Sequence, residues 1–313
     1  MNDFNSRIIR TFDADLSMVD IPVLHLDDFL LRQGRGVYVN RLKDHLVQHH
    51  NKISVPHRHD FYLTVFFTSG EGIHEIDFVR HVVRPGHCYA LNPGQIHHWK
   101  LSEDTDGFVF FHSADFSQTA SLEGGGFEAE NFPFFYSRQN SSEIGLSSEK
   151  QTLLKPWFEV LLQESKHNEP RKLSKQHALI TLIYIELQRA YDPVGVKVSE
   201  SGYGSLLKAF ESEVDQHFKD IKSPAQYAER LHITPKHLNR VSNEILGKTA
   251  TQIIADRVIL EAKRLLASRK YAVSQVADEL GYEDYSYFSR LFKKHQGLSP
   301  RQFYEDYVLP KEG

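Results

Sequence analysis

The sequence predicts two domains of different class: an N-terminal β-barrel followed by a helix pair, then an all-α domain with two helix-turn-helix units joined by a linker helix. Three observations predict it. At 313 residues the chain exceeds the usual size of one hydrophobic core. Near Ser148 the pattern changes from short apolar and aromatic runs separated by turns to helical periodicity. Within the last hundred residues, a helix-turn-helix-sized pattern occurs twice, some fifty residues apart.

Residues 1–147 hold the runs FYLTVFFTSGEG, HVVRPGHCYALNPGQIHHW and GFVFFHS, which read as antiparallel strands. Gly124 to Gly126 and Ser137 to Ser142 read as surface loops. Residues 148–191 contain LLKPWFEVLLQES and KQHALITLIYIELQRAY with Pro170 between them, the pattern of a packed helix pair. Residues 192–204 are short of large apolar side chains and rich in glycine, and are the candidate linker; 205–313 follow as an almost wholly helical segment.

Composition excludes several classes. Apolar residues at 40% and charged residues at 25% are ordinary for a globular chain and unlike disorder. No run of eighteen apolar residues occurs, and the N-terminus lacks the basic start and apolar core of a secretory signal, so a cytoplasmic protein without a membrane segment is expected. The single Cys88 cannot form an intramolecular disulfide and reads as a small buried hydrophobe. No nucleophile–base constellation and no glycine-rich phosphate loop is visible, so an enzyme is not expected.

The net charge of −4 hides an uneven distribution. Ile221 to Arg301 carries about six more Lys and Arg than Asp and Glu, whereas the rest carries about ten fewer. A local basic module on an acidic partner suits phosphate binding, because lysine and arginine release the counterions condensed on DNA.

The repeat gives that module a shape. SPAQYAERLHI precedes ITPKHLNRVSNEILGKT, and AVSQVADELGY precedes EDYSYFSRLFKKHQGLSP: a short helix with an alanine, a turn, then a longer helix with a central arginine. Ala228 and Ala277 supply the small side chain where paired helices approach, Gly281 fits a left-handed turn, and Thr234 and Asp284 are placed to cap the second helices. Leu238, Val241 and Ile245, and then Tyr287, Phe288, Leu291 and Phe292, recur at helical spacing and are expected in the core. The opposite faces carry Lys236, His237, Asn239 and Arg240, and Tyr285, Ser286, Ser289 and Arg290, types able to reach base edges. TATQIIADRVILEAKRLLAS between the units reads as one unbroken helix that would hold Arg240 and Arg290 for successive groove turns, about 34 Å apart.

From about Leu206 to Tyr304 the chain resembles the AraC/XylS family of transcription regulators, most specifically in AVSQVADELGYEDYSYFSRLFKKHQGLSPRQF. The resemblance implies double-stranded promoter DNA as partner, with RNA polymerase and a second copy of the chain as further partners, and activation as the more usual role. It also implies base contact from Lys236, Asn239, Arg240, Tyr285, Ser286, Ser289 and Arg290, with Lys293 and Lys294 on phosphate. Val241-Ser242 and Asn243-Glu244 make the first unit less basic than the family pattern.

PHRHDFYLTVFF followed by GQIHHWKL resembles the cupin-like sensor domain common in that family. His57, His59 and His97 match a cupin metal set, but Leu63 stands where the glutamate ligand would, which suits a small organic effector better than a metal. His57, His59, Leu63 and Val65 are expected on one strand face, lining a pocket with His97 and Trp99, and no metal or cofactor is assigned. A packed barrel with hydrogen-bonded histidines is the alternative. About eleven of the 18 histidines lie between His45 and His112; those at 45, 49, 50, 74, 81 and 87 share no ligand spacing and read mostly as surface groups. The apolar helices from Leu153 to Tyr191 either form a dimer interface or cover the barrel. Two other functions stay open: an effector-independent DNA-binding protein, and a metal-dependent cupin enzyme fused to a DNA-binding domain.

Overall fold

The computed structural model describes residues 21–30, 37–53, 55–116, 129, 132–136, 141–191 and 203–308. Its contacts divide into two units, Pro22–Leu260 and a second containing Glu261–Gly313.

The first unit begins with β1 (Val23–Leu24), β2 (Val37–Arg41), helix α1 (Leu42–Ile53), β3 (Arg58–His59) and β4 (Tyr62–Ser69). There follow β5 (Gly72–Ile76), β6 (Val79–Val83), β7 (His87–Leu91), β8 (His97–Leu101), β9 (Asp106–His112), the short helix α2 (Pro133–Tyr136) and β10 (Glu143–Gly145). Five strands pair in the order β10-β7-β4-β9-β2 and three in the order β6-β5-β8, every pairing in these two sheets being antiparallel. The three runs read as strands from sequence are therefore β4, β6 to β8, and β9. A two-residue turn joins β5 to β6, with Asp77 and Phe78 both at positive φ, the twist that closes a tight hairpin.

Strand β4 is buried on both faces because each faces a different partner. Tyr62 and Phe66 join one core with Phe108 and Phe110 of β9 and the apolar faces of α3 (Ser148–Lys166) and α4 (Lys172–Ala190), including Phe158, Ile183 and Tyr184. Leu63, Val65 and Phe67 point the other way, into a core with Tyr38, Phe61, Tyr89, Trp99 and Phe111. The helix pair thus covers the five-stranded sheet. Tyr184 bolts it down: its hydroxyl lies 3.1 Å from Thr64 Oγ1 and 2.9 Å from His112 Nε2, and all three residues are buried. Cys88 lies in that helix-side core, fully buried, where burial pushes its thiol pKa up. Leu153, Val160, Leu173 and Leu182 stay exposed on the helix pair.

Most of the expected linker, 192–202, lies outside the described residues, as do Gly124 to Gly126 and positions 137–140 of the expected loops. The chain is next described at α5 (Tyr203–His217), followed by α6 (Pro224–Arg230) and α7 (Pro235–Leu246). Helix α8 (Ala250–Ala267) carries the chain into the second unit, where α9 (Val273–Glu279), α10 (Tyr285–Gln296) and α11 (Pro300–Phe303) follow. Among the described residues no helix is long and apolar enough to cross a membrane.

Candidate nucleic-acid interface and sensor interior

The second helices of the two helix-turn-helix units are capped alike, whereas their first helices are not: α9 is preceded by Ala272, which has no side-chain oxygen to cap it. Ser223 caps α6, and Thr234 Oγ1 accepts from the His237 amide at the start of α7. In the second unit Asp284 accepts from the Ser286 amide at the start of α10. Helices α7 and α10 both have 12 residues, and both end in a glycine in the left-handed region, Gly247 at φ 64° and Gly297 at φ 79°. A reciprocal cap then opens the next helix: Thr249 with Gln252, and Ser299 with Gln302. Ala228 and Ala277 are buried, and Gly281 adopts φ 74°.

Each second helix turns one face inward. Leu238, Val241 and Ile245 are buried on α7; Phe288 and Phe292 are buried on α10, with Phe292 in ring contact with Phe303 at 5.8 Å. Two core expectations need correction. Tyr287 is 54% exposed and its ring lies against Tyr282 at 6.0 Å, because it occupies the α10 position matching His237 of α7, on the flank of the buried stripe. Leu291 is only half-buried.

On the outer faces Thr234, Lys236, Arg240, Tyr285, Ser286, Arg290, Lys293 and Lys294 are exposed, while His237, Asn239 and Ser289 are half-buried. Among these, Asn239 is engaged within the fold: its Oδ1 accepts the Ala250 amide at 3.0 Å, and its Nδ2 donates to the Pro235 carbonyl. That carboxamide ties the first half of α7 to the start of α8. Arg240 Nη2 lies 3.0 Å from His237 Nδ1, which steadies the guanidinium on the outer face.

In the sheet domain His57, His59, Leu63, Val65, His97 and Trp99 are all buried. They do not share one strand. The chain bends at Asp60–Phe61, so the two histidines come from the β3 region and Leu63 and Val65 from β4; His57 instead pairs by a β-bridge with His97. The rings of His57 and His97 are 4.4 Å apart, those of His59 and His97 5.1 Å. His57 Nδ1 donates to the Val55 carbonyl at 2.9 Å and His59 Nδ1 to the Phe61 carbonyl at 2.7 Å.

Two histidines expected at the surface belong to this interior. His74 on β5 is fully buried, shares a 3.0 Å hydrogen bond between its Nε2 and His97 Nδ1, and packs against Trp99 at 5.1 Å. His45, on α1, is 1% exposed and bonds Tyr38. Spacing within β5 alone could not show this, since His74 reaches His97 only through the β5–β8 pairing that sets it opposite Trp99. His49, His81 and His87 are half-buried; the last two both contact Glu143, at 3.0 and 2.7 Å. Burial drives the interior imidazoles toward the neutral form: His57 falls to about 4, His45 and His59 to about 3, and His74 and His97 well below the usual histidine range.

The metal implied by a cupin-like domain can be tested against these side chains. Leu63 occupies the carboxylate position in an apolar core, and His97 Nδ1 is bonded to His74. Among the described residues no three His, Cys, Asp or Glu side chains are gathered so that they could hold a metal ion. The residues do not fit the metal. A separate open groove of about 870 Å³, lined by Arg41, Phe108, Pro156, Val160, Glu164 and Lys175 among others, includes none of the residues expected to line the effector pocket.

Residues 227–306 match the family model described as a helix-turn-helix domain, and residues 45–114 match the AraC-like ligand binding domain. The chain belongs to the AraC/XylS family. It is 24% identical over 243 residues to the arabinose operon regulatory protein of Salmonella typhimurium, spanning 75% of this chain and 80% of that one. It is 19% identical over 289 residues to the transcriptional activator RhaR of Yersinia pseudotuberculosis, spanning 91% and 94%. The crystal structure of ToxT from Vibrio cholerae aligns at 14% identity, covering 86% of this chain and 96% of that one, with a TM-score of 0.40.

Membership of the AraC/XylS family makes this chain a DNA-binding transcription regulator with a ligand-binding domain. The ligand-binding match, 45–114, runs from within α1 through β9 and so includes both His45 and His74 with the six residues singled out from sequence. The helix-turn-helix match, 227–306, covers both capped second helices.

Proposed function

We propose that this regulator activates transcription by reading promoter DNA with α7 and α10, under control of a small organic effector bound in the interior of the sheet domain. One observation carries the reading: two 12-residue helices with matched caps each present a polar face, Lys236 and Arg240 on one, Ser286 and Arg290 on the other. Capped amides and the positive helix end orient each N-terminus toward phosphate, and the exposed arginines suit guanine edges in the major groove. Thr234, His237, Tyr285 and Ser289 flank these readers, and Lys293 and Lys294 take backbone phosphates. Activation agrees with the RhaR relative, which is a transcriptional activator.

The working form in this account is a cytoplasmic homodimer acting with RNA polymerase. Leu153, Val160, Leu173 and Leu182, exposed on a helix pair whose other face is already committed to the sheet, favour that pair as the dimer surface. A promoter-reporter assay tests the function. Deleting the operator should abolish effector-dependent expression, whereas expression that rises when the regulator gene is removed would identify a repressor instead. Light scattering of a Leu153→Glu, Leu182→Glu variant should show a monomer; a persistent dimer would contradict the assigned surface.

A further inference from the structure

The interior between β3, β5 and β8 constrains the charge and hydrogen-bonding character of the effector, a point that rests on the effector reading above. Four buried ring nitrogens there have no hydrogen-bond partner in the protein: His59 Nε2, His74 Nδ1, His97 Nε2 and Trp99 Nε1. They form one nest, His97 lying in ring contact with His59, His74 and Trp99 at 5.1, 5.3 and 5.4 Å. Native interiors leave few such atoms unpaired, so four gathered around His97 mark a place built for polar recognition.

The bonds already made fix what each nitrogen offers. His57 and His59 give their Nδ1 protons to carbonyl oxygens, which only accept, so each neutral ring carries a lone pair on Nε2. One proton lies between His74 Nε2 and His97 Nδ1; of their outer nitrogens, one is therefore a donor and the other an acceptor. Trp99 Nε1 only donates. The imidazoles are neutral through burial, and the nearby acids are committed elsewhere: Glu75 to Arg80, Asp77 to Gln95 and the Ile96 amide. His57 and His59 both face His97, so strand alternation turns Arg58, whose buried Nε also has no partner, to the other face of β3; a carboxylate on the histidine face would meet no cation and an ammonium no anion, and burying an unpaired charge costs more than these hydrogen bonds return.

We infer that the effector is a small uncharged molecule carrying hydroxyl- or amide-type donors together with an acceptor oxygen. Its donors meet the Nε2 lone pairs of His57 and His59, and its oxygen accepts from Trp99 Nε1. The outer nitrogens of the His74–His97 pair supply one donor and one acceptor, which makes His74 a specificity residue.

The test splits a low-molecular-weight bacterial extract by ion exchange into uncharged, anionic and cationic fractions. Each fraction is added to the full-length protein at pH 7.5 in a thermal-shift assay. The uncharged fraction should raise the melting temperature, and Trp99→Phe, checked for folding by circular dichroism, should need about tenfold more of it for the same shift. Stabilisation by the anionic or cationic fraction alone, metal ions included, overturns the inference while leaving an effector in place. If no fraction stabilises the wild type, the effector reading fails and this inference fails with it. Independently of any variant, nitrogen-15 spectra of histidine-labelled protein should show Nε2 of His57 and His59 unprotonated; protonated Nε2 would overturn the donor assignment.

Discussion

Lowering the pH from 7.5 to 5.5 should unfold the sheet domain well before the helix-turn-helix units lose structure. His45, His57, His59, His74 and His97 are all at most 3% exposed, and burial holds each below the ordinary histidine pKa of 6.5. The native state therefore refuses protons that the unfolded chain accepts. The stability from these groups is fully present above pH 6.5 and is lost as pH falls below it, the loss ending only near the folded values of about 3 to 4 for His45, His57 and His59. At pH 5.5, one unit below the unfolded pKa, each group has forfeited about 1.4 kcal/mol, so five acting independently forfeit about 7 kcal/mol. That rivals the whole stability of a typical domain, roughly 5–15 kcal/mol. Urea titrations at half-unit pH steps measure it, and both tryptophans of the chain, Trp99 and Trp157, lie in the sheet domain and its helix pair, so their fluorescence isolates that half. A midpoint that stays constant between pH 7.5 and 5.5 would refute the reasoning.

Other outcomes follow from the helical units. Phe288→Ala empties a fully buried site on α10 and should cost about 3–5 kcal/mol, enough to melt the second unit in a calorimetric scan. Thr234→Ala removes the cap of α7 and should lower stability by about 1 kcal/mol in urea denaturation. Asn239→Ala should cost a similar amount, because the carboxamide holds the Ala250 amide; binding titrations should then weaken for all DNA sequences alike, whereas relaxed preference at one base pair would make Asn239 a reader instead.

The sequence exposed the helical half more fully than the sheet half, for a physical reason. Caps, turn glycines and helical spacing are local, so Thr234, Asp284, Gly281 and the buried stripe from Leu238 to Ile245 could each be read from a few neighbouring residues. Tyr287 misled because an aromatic next to Phe288 reads as core, although its place on the flank leaves half of it in water. In the sheet half the signals are long-range. His74 becomes part of the interior only because β5 pairs with β8, and His57 and His59 part from Leu63 at a bend that residue-by-residue alternation does not announce. Strand β4 reads as apolar throughout because one face meets the helix pair and the other the histidine-lined interior.

The central claim is that α10 reads base edges while its last turn holds phosphate. It is tested most directly by titrating DNA from the gene's own upstream region with wild type, Arg290→Ala and Lys293→Ala at two salt concentrations. Arg290→Ala should lose about 1–3 kcal/mol and relax sequence preference, and Lys293→Ala should weaken every sequence equally and flatten the salt dependence by about one unit of slope. Equal losses on all sequences from both substitutions, or no wild-type binding above the nonspecific level even after selection from random duplexes, would contradict the account.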